Sequence, residues 1–349
     1  MTTHAWIKHG FPNHWAAGPL IKELHEKIVK NVDAAYPSPS INLVVDTTWL
    51  SNSASSLPHL LQTYRDIGHI DNLFLCALPD NINLDFPYPS TLELKTIQIG
   101  NVNGNDLRYH FDFWAVSVNR SFKKYNVDDV LLRTDSPIKF LAYQNKPHDH
   151  RQYFTHLLIN DNLTEHGILT LNNVMGGKSV PFKFDNLRVF SVEETIDVGN
   201  RMIGDDNLTK EVPYDLGELG IWNRCFLNVV CETISNNSTC NNFITEKTYK
   251  PIIGMRPFVI NGHSNFYNLL ANRGFYTFEE YWPYADFRNC VTYQDTCNQI
   301  VNVVHQLAKM SNEDVLSMYQ DMMPKLEHNR SRFFEYAMEQ EAKINNLFG

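Results

Sequence analysis

The stretch CFLNVVCETISNNSTCNNFITEKTYKPIIGMRPFVING, residues 225–262, decides the fold. It opens on an apolar run, Cys225 to Cys231, with the length and β-branched content of a buried strand. A polar loop, SNNSTCNN, follows. Thr245 then stands as a helix cap, and Tyr249, Ile252 and Ile253 are spaced to turn inward. Pro251 keeps that helix short or kinked, because proline removes a backbone donor. PFVING, residues 257–262, reads as a second buried strand. Strand, loop, helix, strand is the unit of a parallel sheet wound by helices. A charged pair, Glu246 and Lys247, occupies the joint between the loop and the helix.

The same alternation extends outward. IKFLAYQN (138–145) and GILTLNN (167–173) read as strands. Between them PHDHRQYFTHLLINDN is a helix opened by Pro147, a favoured first-turn residue, with Tyr153, Phe154, Leu157 and Leu158 on its buried face. NFYNLLANRGFYTF is a helix closed by Gly274, and residues 295–309 and 313–346 read as two C-terminal helices. Toward the N-terminus, Leu20, Leu24, Ile28 and Val32 make one apolar stripe on a helix over Pro19–Val32. The strand INLVVD ends at Asp46, the helix LPHLLQTYRDIG at Gly68; IDNLFLCAL and LKTIQIG are further strands, and FDFWAVSVNRSFKKY is a helix with aromatic bulk. Residues 173–220, rich in Gly, Asn and Asp, carry no clear period. The pattern restarts near residues 127–137, which predicts one domain over 1–135 and a second over 136–349 with the C-terminal helices.

Composition bounds the function. The 349 residues are 43% hydrophobic and 12% aromatic, enough for two cores. A formal charge of −9 argues against strong non-specific binding to nucleic acid or an anionic membrane. No apolar run approaches the roughly 20 residues of a membrane helix. The first residues, MTTHAWIKHGFPNHWAAG, lack a signal-peptide core, so a cytoplasmic location is expected. The six cysteines (76, 225, 231, 240, 290 and 297) show no Cys-x-x-Cys spacing and read as free thiols.

NKPHDHR, residues 145–151, lies where a strand gives way to a helix, the edge at which parallel α/β sheets bind ligands. A helix N-terminus there suits an anion, and Lys146 and Arg151 add positive charge. The plainer reading is solvated charge at a helix start. His148 and His150 alone are a weak metal signal. At the second joint, Lys247 would meet a phosphate and Glu246 would accept hydroxyl hydrogen bonds, for example from a ribose. The plainer reading is an exposed ion pair, worth less than about 1 kcal/mol. The chain contains no Asp-x-Asp, no Gly-x-Gly-x-x-Gly and no complete phosphate-loop motif, which argues against a nicotinamide enzyme or an NTPase. A bound diphosphate would then be held by protein cations and helix dipoles, with no metal or other cofactor required.

FITEKTYKPI…PFVING, with GFYTF downstream, resembles the donor-binding end of the α-1,3-fucosyltransferase-like glycosyltransferases, most of all relatives found in tailed phages and other large viruses of microbes. QNKPHDHR and HFDFW (110–114) resemble the same group, and the likeness covers residues 138–280 best. It implies a GT-B fold: two Rossmann-like domains facing across a cleft, with the nucleotide-sugar on the C-terminal one. Arg151 and Lys247 would contact the diphosphate, with Lys146 beside them. Glu246 and Thr245 would lie at the donor, Glu246 holding ribose or sugar hydroxyls. Glu232 matches an acidic residue that the family follows with Asn, where this chain has Thr233.

The implied activity is metal-independent transfer of a sugar from a nucleotide-diphosphate donor to an acceptor hydroxyl. An inverting reaction needs a base for the acceptor's proton. Asp46 at a strand end is the first candidate, Asp112 the second and His110 the third, while a retaining reaction would need none. The acceptor is a hydroxymethylated base of phage DNA or a glycan. A DNA acceptor calls for a basic surface, for which NRSFKKY (119–125) is the best segment, though it also reads as a solvated helix face. The alternatives are a non-catalytic nucleotide- or carbohydrate-binding virion protein on the same scaffold, and a GT-B-like sugar-nucleotide epimerase.

Overall fold

The computed structural model describes residues 5–7, 42–46, 72–77, 94–98, 112–122, 125–175, 178–190, 216–233, 235–236 and 244–348. The fold is α/β, and the chain divides into two compact units, Met1–Ser117 with Ala337–Gly349, and Val118–Tyr336.

In the first unit β1 (Ala5–Ile7), β2 (Asn42–Asp46), β3 (Asn72–Ala77) and β4 (Leu94–Gln98) form a parallel sheet in chain order. Strands β2 to β4 fall inside the runs read as strands; β1, a three-residue segment in a polar stretch, carried no sequence signal. The helices expected over 19–32 and 57–68, and His110, lie outside the described residues. Helix α1 (Phe113–Phe122) starts in this unit. Asp112 precedes it, fully buried, and its Oδ1 accepts from the Ala115 N–H at 3.0 Å.

The second unit contains α2 (Val127–Val130), β5 (Ile138–Ala142), α3 (Asp149–Asn160), β6 (Gly167–Leu169), the hairpin β7 (Val174–Met175) and β8 (Lys178–Ser179), and α4 (Leu219–Trp222). It continues with β9 (Cys225–Cys231), α5 (Glu246–Ile253), β10 (Phe258–Asn261), α6 (Asn265–Asn272), α7 (Tyr293–Lys309) and, as far as Tyr336, α8 (Asn312–Phe348), whose last residues belong to the first unit. Its main sheet is parallel, in the order β10-β9-β5-β6. Every residue of β6, β9 and β10 is buried, as expected for parallel strands covered on both faces. Lys178 and Ser179, the one Lys-Ser pair that follows a glycine, belong to the antiparallel hairpin, not to the strand-to-helix joint a phosphate loop requires.

The strand order reverses once. β6 lies on one side of β5, and the chain then returns to place β9 on the other side. The segments leaving the carboxyl ends of β5 and β9 therefore diverge from a shared edge, the switch point at which such sheets leave a crevice.

Helix α3 begins two residues later than Pro147 suggested: His148, extended at φ −64 and ψ 152, is the N-cap and its carbonyl accepts from the N–H groups of Arg151 and Gln152. Its buried side is more polar than the hydrophobic spacing implied. Phe154 and Leu158 are buried, but so are His150, Arg151, Gln152 and Thr155, because the first turn lies against the ends of β9 and β10. Tyr153 is half-buried against Phe184 and Tyr293, both at 5.9 Å between ring centroids.

At the opposite end of β9, helix α5 closes through bonds from Met255 N–H to the Ile252 carbonyl and Arg256 N–H to the Pro251 carbonyl. The left-handed residue of this Schellman arrangement is Met255, at φ 52, rather than the neighbouring glycine. Gly254 serves close approach instead: a Cβ there would lie 2.3 Å from Cζ2 of Trp222, whose indole N–H donates to the Gly254 carbonyl at 2.9 Å. Arg256, buried beside it, donates to the carbonyls of Cys225, Val130, Gly254, Met255 and Trp222 and to the Tyr319 hydroxyl. Among the described residues no helix is long and apolar enough to cross a membrane. The four cysteines whose side chains are described, Cys225, Cys231, Cys290 and Cys297, are free and buried.

Candidate functional site

The carboxyl ends of β5 and β9 collect the six residues expected at the donor. Lys146 and Arg151 lie on the segment from β5 into α3, and Glu232, Thr245, Glu246 and Lys247 on the segment from β9 into α5. Asp46, the last residue of β2, and Asp112, at the start of α1, belong to the first unit.

Glu232 follows β9 directly and is fully buried. Its Oε1 accepts from the Thr245 N–H at 3.1 Å and the Thr248 hydroxyl at 2.7 Å. Its Oε2 accepts from the Thr245 hydroxyl at 2.7 Å and the Thr233 N–H at 3.3 Å. A buried carboxylate needs such partners, and here they tie the first turn of α5 to the strand end. Glu232 thus acts within the protein, beyond the reach of a ligand in this arrangement.

Thr245 is the N-cap the sequence indicated, its Oγ1 accepting from the Lys247 N–H at 3.4 Å. The pair beside it is not the exposed joint that the sequence suggested. The Glu246 side chain is only 9% exposed and that of Lys247 30%. The Lys247 ammonium donates to Glu246 Oε1 at 2.9 Å, to Thr245 Oγ1 at 3.2 Å and to Thr233 Oγ1 at 3.5 Å. Burial pushes the Glu246 carboxyl up, but the charges of Lys247 and Lys250, with hydrogen bonds from Lys247 and its own backbone N–H, outweigh that and hold it below the usual carboxylate range.

Arg151 is buried at 3% exposure. Its Nη2 donates to the carbonyls of Cys231 at 2.7 Å and Glu232 at 2.9 Å, and its Nη1 to that of Lys146 at 3.3 Å. Among the described residues the buried Nε has no hydrogen-bond partner. Desolvation lowers this guanidinium's pKa from its ordinary value. Arg151 stitches α3 to β9, and presents its charge rather than its fork to the crevice.

His150, missed as a functional residue, completes the stitch: Nε2 lies 2.8 Å from the Glu232 carbonyl. Burial, then the Arg151 charge, hold it down to about 3, so it is neutral and donates from Nε2. His148, half-exposed at the N-cap of α3, is held down to about 4 by burial and by the charges of Arg151, Lys146 and Lys247. The Asp149 carboxylate, in the first turn of α3, opposes those three cations without outweighing them. Glu232 and Glu246 offset Arg151 and Lys247, and Asp149 pairs with Lys183 at 2.6 Å, which leaves exposed Lys146 and the helix dipoles in excess. Among the described residues no side chain caps α3, whose first turn lies at this edge. The His-x-His spacing and the Thr245–Thr248 spacing were readable signals; that Glu232 bridges to α5 was not, since the two are separated by a loop of no clear period.

Among the described residues no group of three His, Cys, Asp or Glu is arranged to hold a metal ion. The arrangement can bind an anion by an uncapped helix N-terminus and by Lys146 and Lys247, with the Glu246 carboxylate adjacent to accept hydroxyl donors. Comparison of the chain with protein-family models, with curated proteins and with solved structures found no match.

Proposed function

We propose that this protein is a glycosyltransferase of the GT-B type that takes its sugar from a nucleoside-diphosphate donor, with the diphosphate at the carboxyl edge of the second sheet. One observation carries the reading: the α3 N-terminus, without a side-chain cap, stands at the strand-order reversal with Lys146, Arg151 and Lys247 close enough to act on His148. Lys247 and the α3 amides bind the phosphates, and Arg151 adds fixed positive charge from beneath. Glu246 accepts from ribose or sugar hydroxyls.

In the reaction the acceptor oxygen attacks the anomeric carbon, the bond from that carbon to the diphosphate breaks, and the nucleoside diphosphate leaves with the electron pair. Preorganised cations and amides stabilise that charge, and no metal is required of them. In an inverting transfer the acceptor's proton passes to a base, for which Asp46 at the end of β2 remains the candidate. Asp112 is the poorer one, because its carboxylate is buried and engaged at the start of α1. The acceptor is a hydroxymethylated DNA base or a glycan hydroxyl.

The burial of Asp112 also favours a second reading, a nucleotide- or carbohydrate-binding protein that catalyses no transfer. A thermal-shift screen with GDP, UDP, CDP and ADP, each with and without EDTA, addresses binding; release of nucleoside diphosphate from matched nucleotide-sugars, with and without hydroxymethylated DNA or glycan, addresses turnover. Ligand at about 100 times its Kd adds roughly 2.7 kcal/mol of stability, a readily visible shift. Transfer is expected with one donor and unaffected by EDTA. Binding without turnover supports the second reading, conversion of the sugar with no acceptor supports an epimerase, and no shift with any nucleotide removes the basis of all three.

A further inference from the structure

Lys247 is held by more than charge. Its ammonium has three protons, and three oxygens surround it, from Glu246, Thr245 and Thr233. The Thr245 hydroxyl is the member whose direction is set from elsewhere. A hydroxyl has one proton to give and two lone pairs. Thr245 gives its proton to Glu232 Oε2 at 2.7 Å, which turns its lone pairs toward the Lys247 N–H at 3.4 Å and the ammonium at 3.2 Å. Glu232, in turn, cannot rotate away. Its carboxylate accepts from Thr233, Thr245 and Thr248, and its carbonyl is gripped by His150 at 2.8 Å and Arg151 at 2.9 Å.

We propose that Glu232 is a positioning residue that sets the affinity of the edge for a nucleoside diphosphate without touching it, by fixing the Thr245 hydroxyl and through it the Lys247 ammonium. The proposal rests on the anion-binding reading of Lys247 given above. The rival is that Glu232 merely caps α5 and contributes to folding alone.

The test is calorimetric titration of the full chain with whichever of GDP, UDP, CDP or ADP binds the wild type, using Thr245→Val, Thr245→Ser, Glu232→Gln, Lys247→Ala and the Thr245→Val/Lys247→Ala pair. Valine keeps the shape of threonine and lacks the hydroxyl. Thr245→Val is expected to raise Kd about tenfold, Thr245→Ser to restore it to within about twofold of wild type, and Glu232→Gln to match the valine variant. In the Lys247→Ala background Thr245→Val should change Kd by less than about twofold, since the residue it acts through is gone. Thr245→Val that lowers the melting temperature but leaves Kd unchanged overturns the proposal. So does a tenfold loss that persists without Lys247. If Glu232→Gln fails to fold, the Thr245 series decides alone. If the wild type binds none of the four nucleotides, the anion-binding reading falls and the positioning role with it.

Discussion

The two ends of strand β9 each bury an arginine against backbone carbonyls, and the two arginines do different work. At the amino end Arg256 satisfies five carbonyls and the Tyr319 hydroxyl, and its guanidinium lies over the rings of Trp222 at 5.9 Å and Tyr319 at 5.6 Å. No carboxylate bonds it among the described residues, and burial pushes it down to about 10. At the carboxyl end Arg151 satisfies three carbonyls, leaves Nε unpartnered among the described residues, and sits among Lys146, Lys247, Glu232, Glu246 and two neutral histidines. One end is a closed joint whose polar atoms are spent on one another. The other concentrates charge beyond what closing a helix onto a strand requires. A fold's own stability explains the first arrangement; the second is the one to which the proposed diphosphate is assigned.

That contrast can be broken in order of expected effect. Replacing Arg256 with Ala strands several buried carbonyls and leaves a cavity beside Trp222, at a cost of about 4 kcal/mol or more. For a domain of this size that is a fall in Tm of roughly 10 °C, read by calorimetry. Glu232→Gln at the other end turns an acceptor into a donor facing Thr233, Thr245 or Thr248, and should cost about 2 kcal/mol in denaturant unfolding together with its loss of nucleotide affinity. If Arg256→Ala weakens nucleotide binding as much as Glu232→Gln does, the two ends are not distinct.

His150 sharpens the comparison through pH. Its folded pKa lies near 3, below the ordinary value of about 6.5, so the unfolded chain binds the extra proton in between. Stability should fall as pH drops from about 6.5 toward 3, with a slope of up to about 1.4 kcal/mol per pH unit from this residue. His150→Gln keeps a donor for the Glu232 carbonyl and should remove that slope in urea titrations at stepped pH. Glu246 contributes in a lower window: its carboxyl lies below the usual range, so its stabilisation is present above about pH 4.3 and is lost as pH falls through its folded value. The smallest effect belongs to Tyr319→Phe, which removes the hydroxyl that accepts from Arg256 and from the Leu132 N–H and donates to the Met255 carbonyl at 3.1 Å, for about 1.5 kcal/mol and no change in binding.

Much of the second unit was legible because buried parallel strands announce themselves. CFLNVVC and PFVIN are runs that are apolar but for one asparagine each, with turn residues nearby, and Thr245 and Gly274 mark helix limits by chemistry that needs no tertiary context. What stayed hidden depends on distant partners. Arg151 reads as a phosphate contact in a helix start, yet its fork is turned inward by the carbonyls of Cys231 and Glu232, some eighty positions away. Glu246 reads as exposed beside a lysine, yet the loop and helix leave it 9% exposed. Charge pattern shows that an edge is polar; only the strand order shows which polar groups share it.

The most direct measurement is isothermal titration of the stabilising nucleoside diphosphate into wild type, Lys247→Ala and Tyr319→Phe side by side. Lys247→Ala should lose at least about tenfold in affinity, together with some stability because the buried Glu246 carboxylate loses its partner, while Tyr319→Phe should lose stability alone and bind as the wild type does. Equal binding by Lys247→Ala and wild type, or no nucleotide bound by the wild type at all, would contradict a diphosphate site at the carboxyl end of β9.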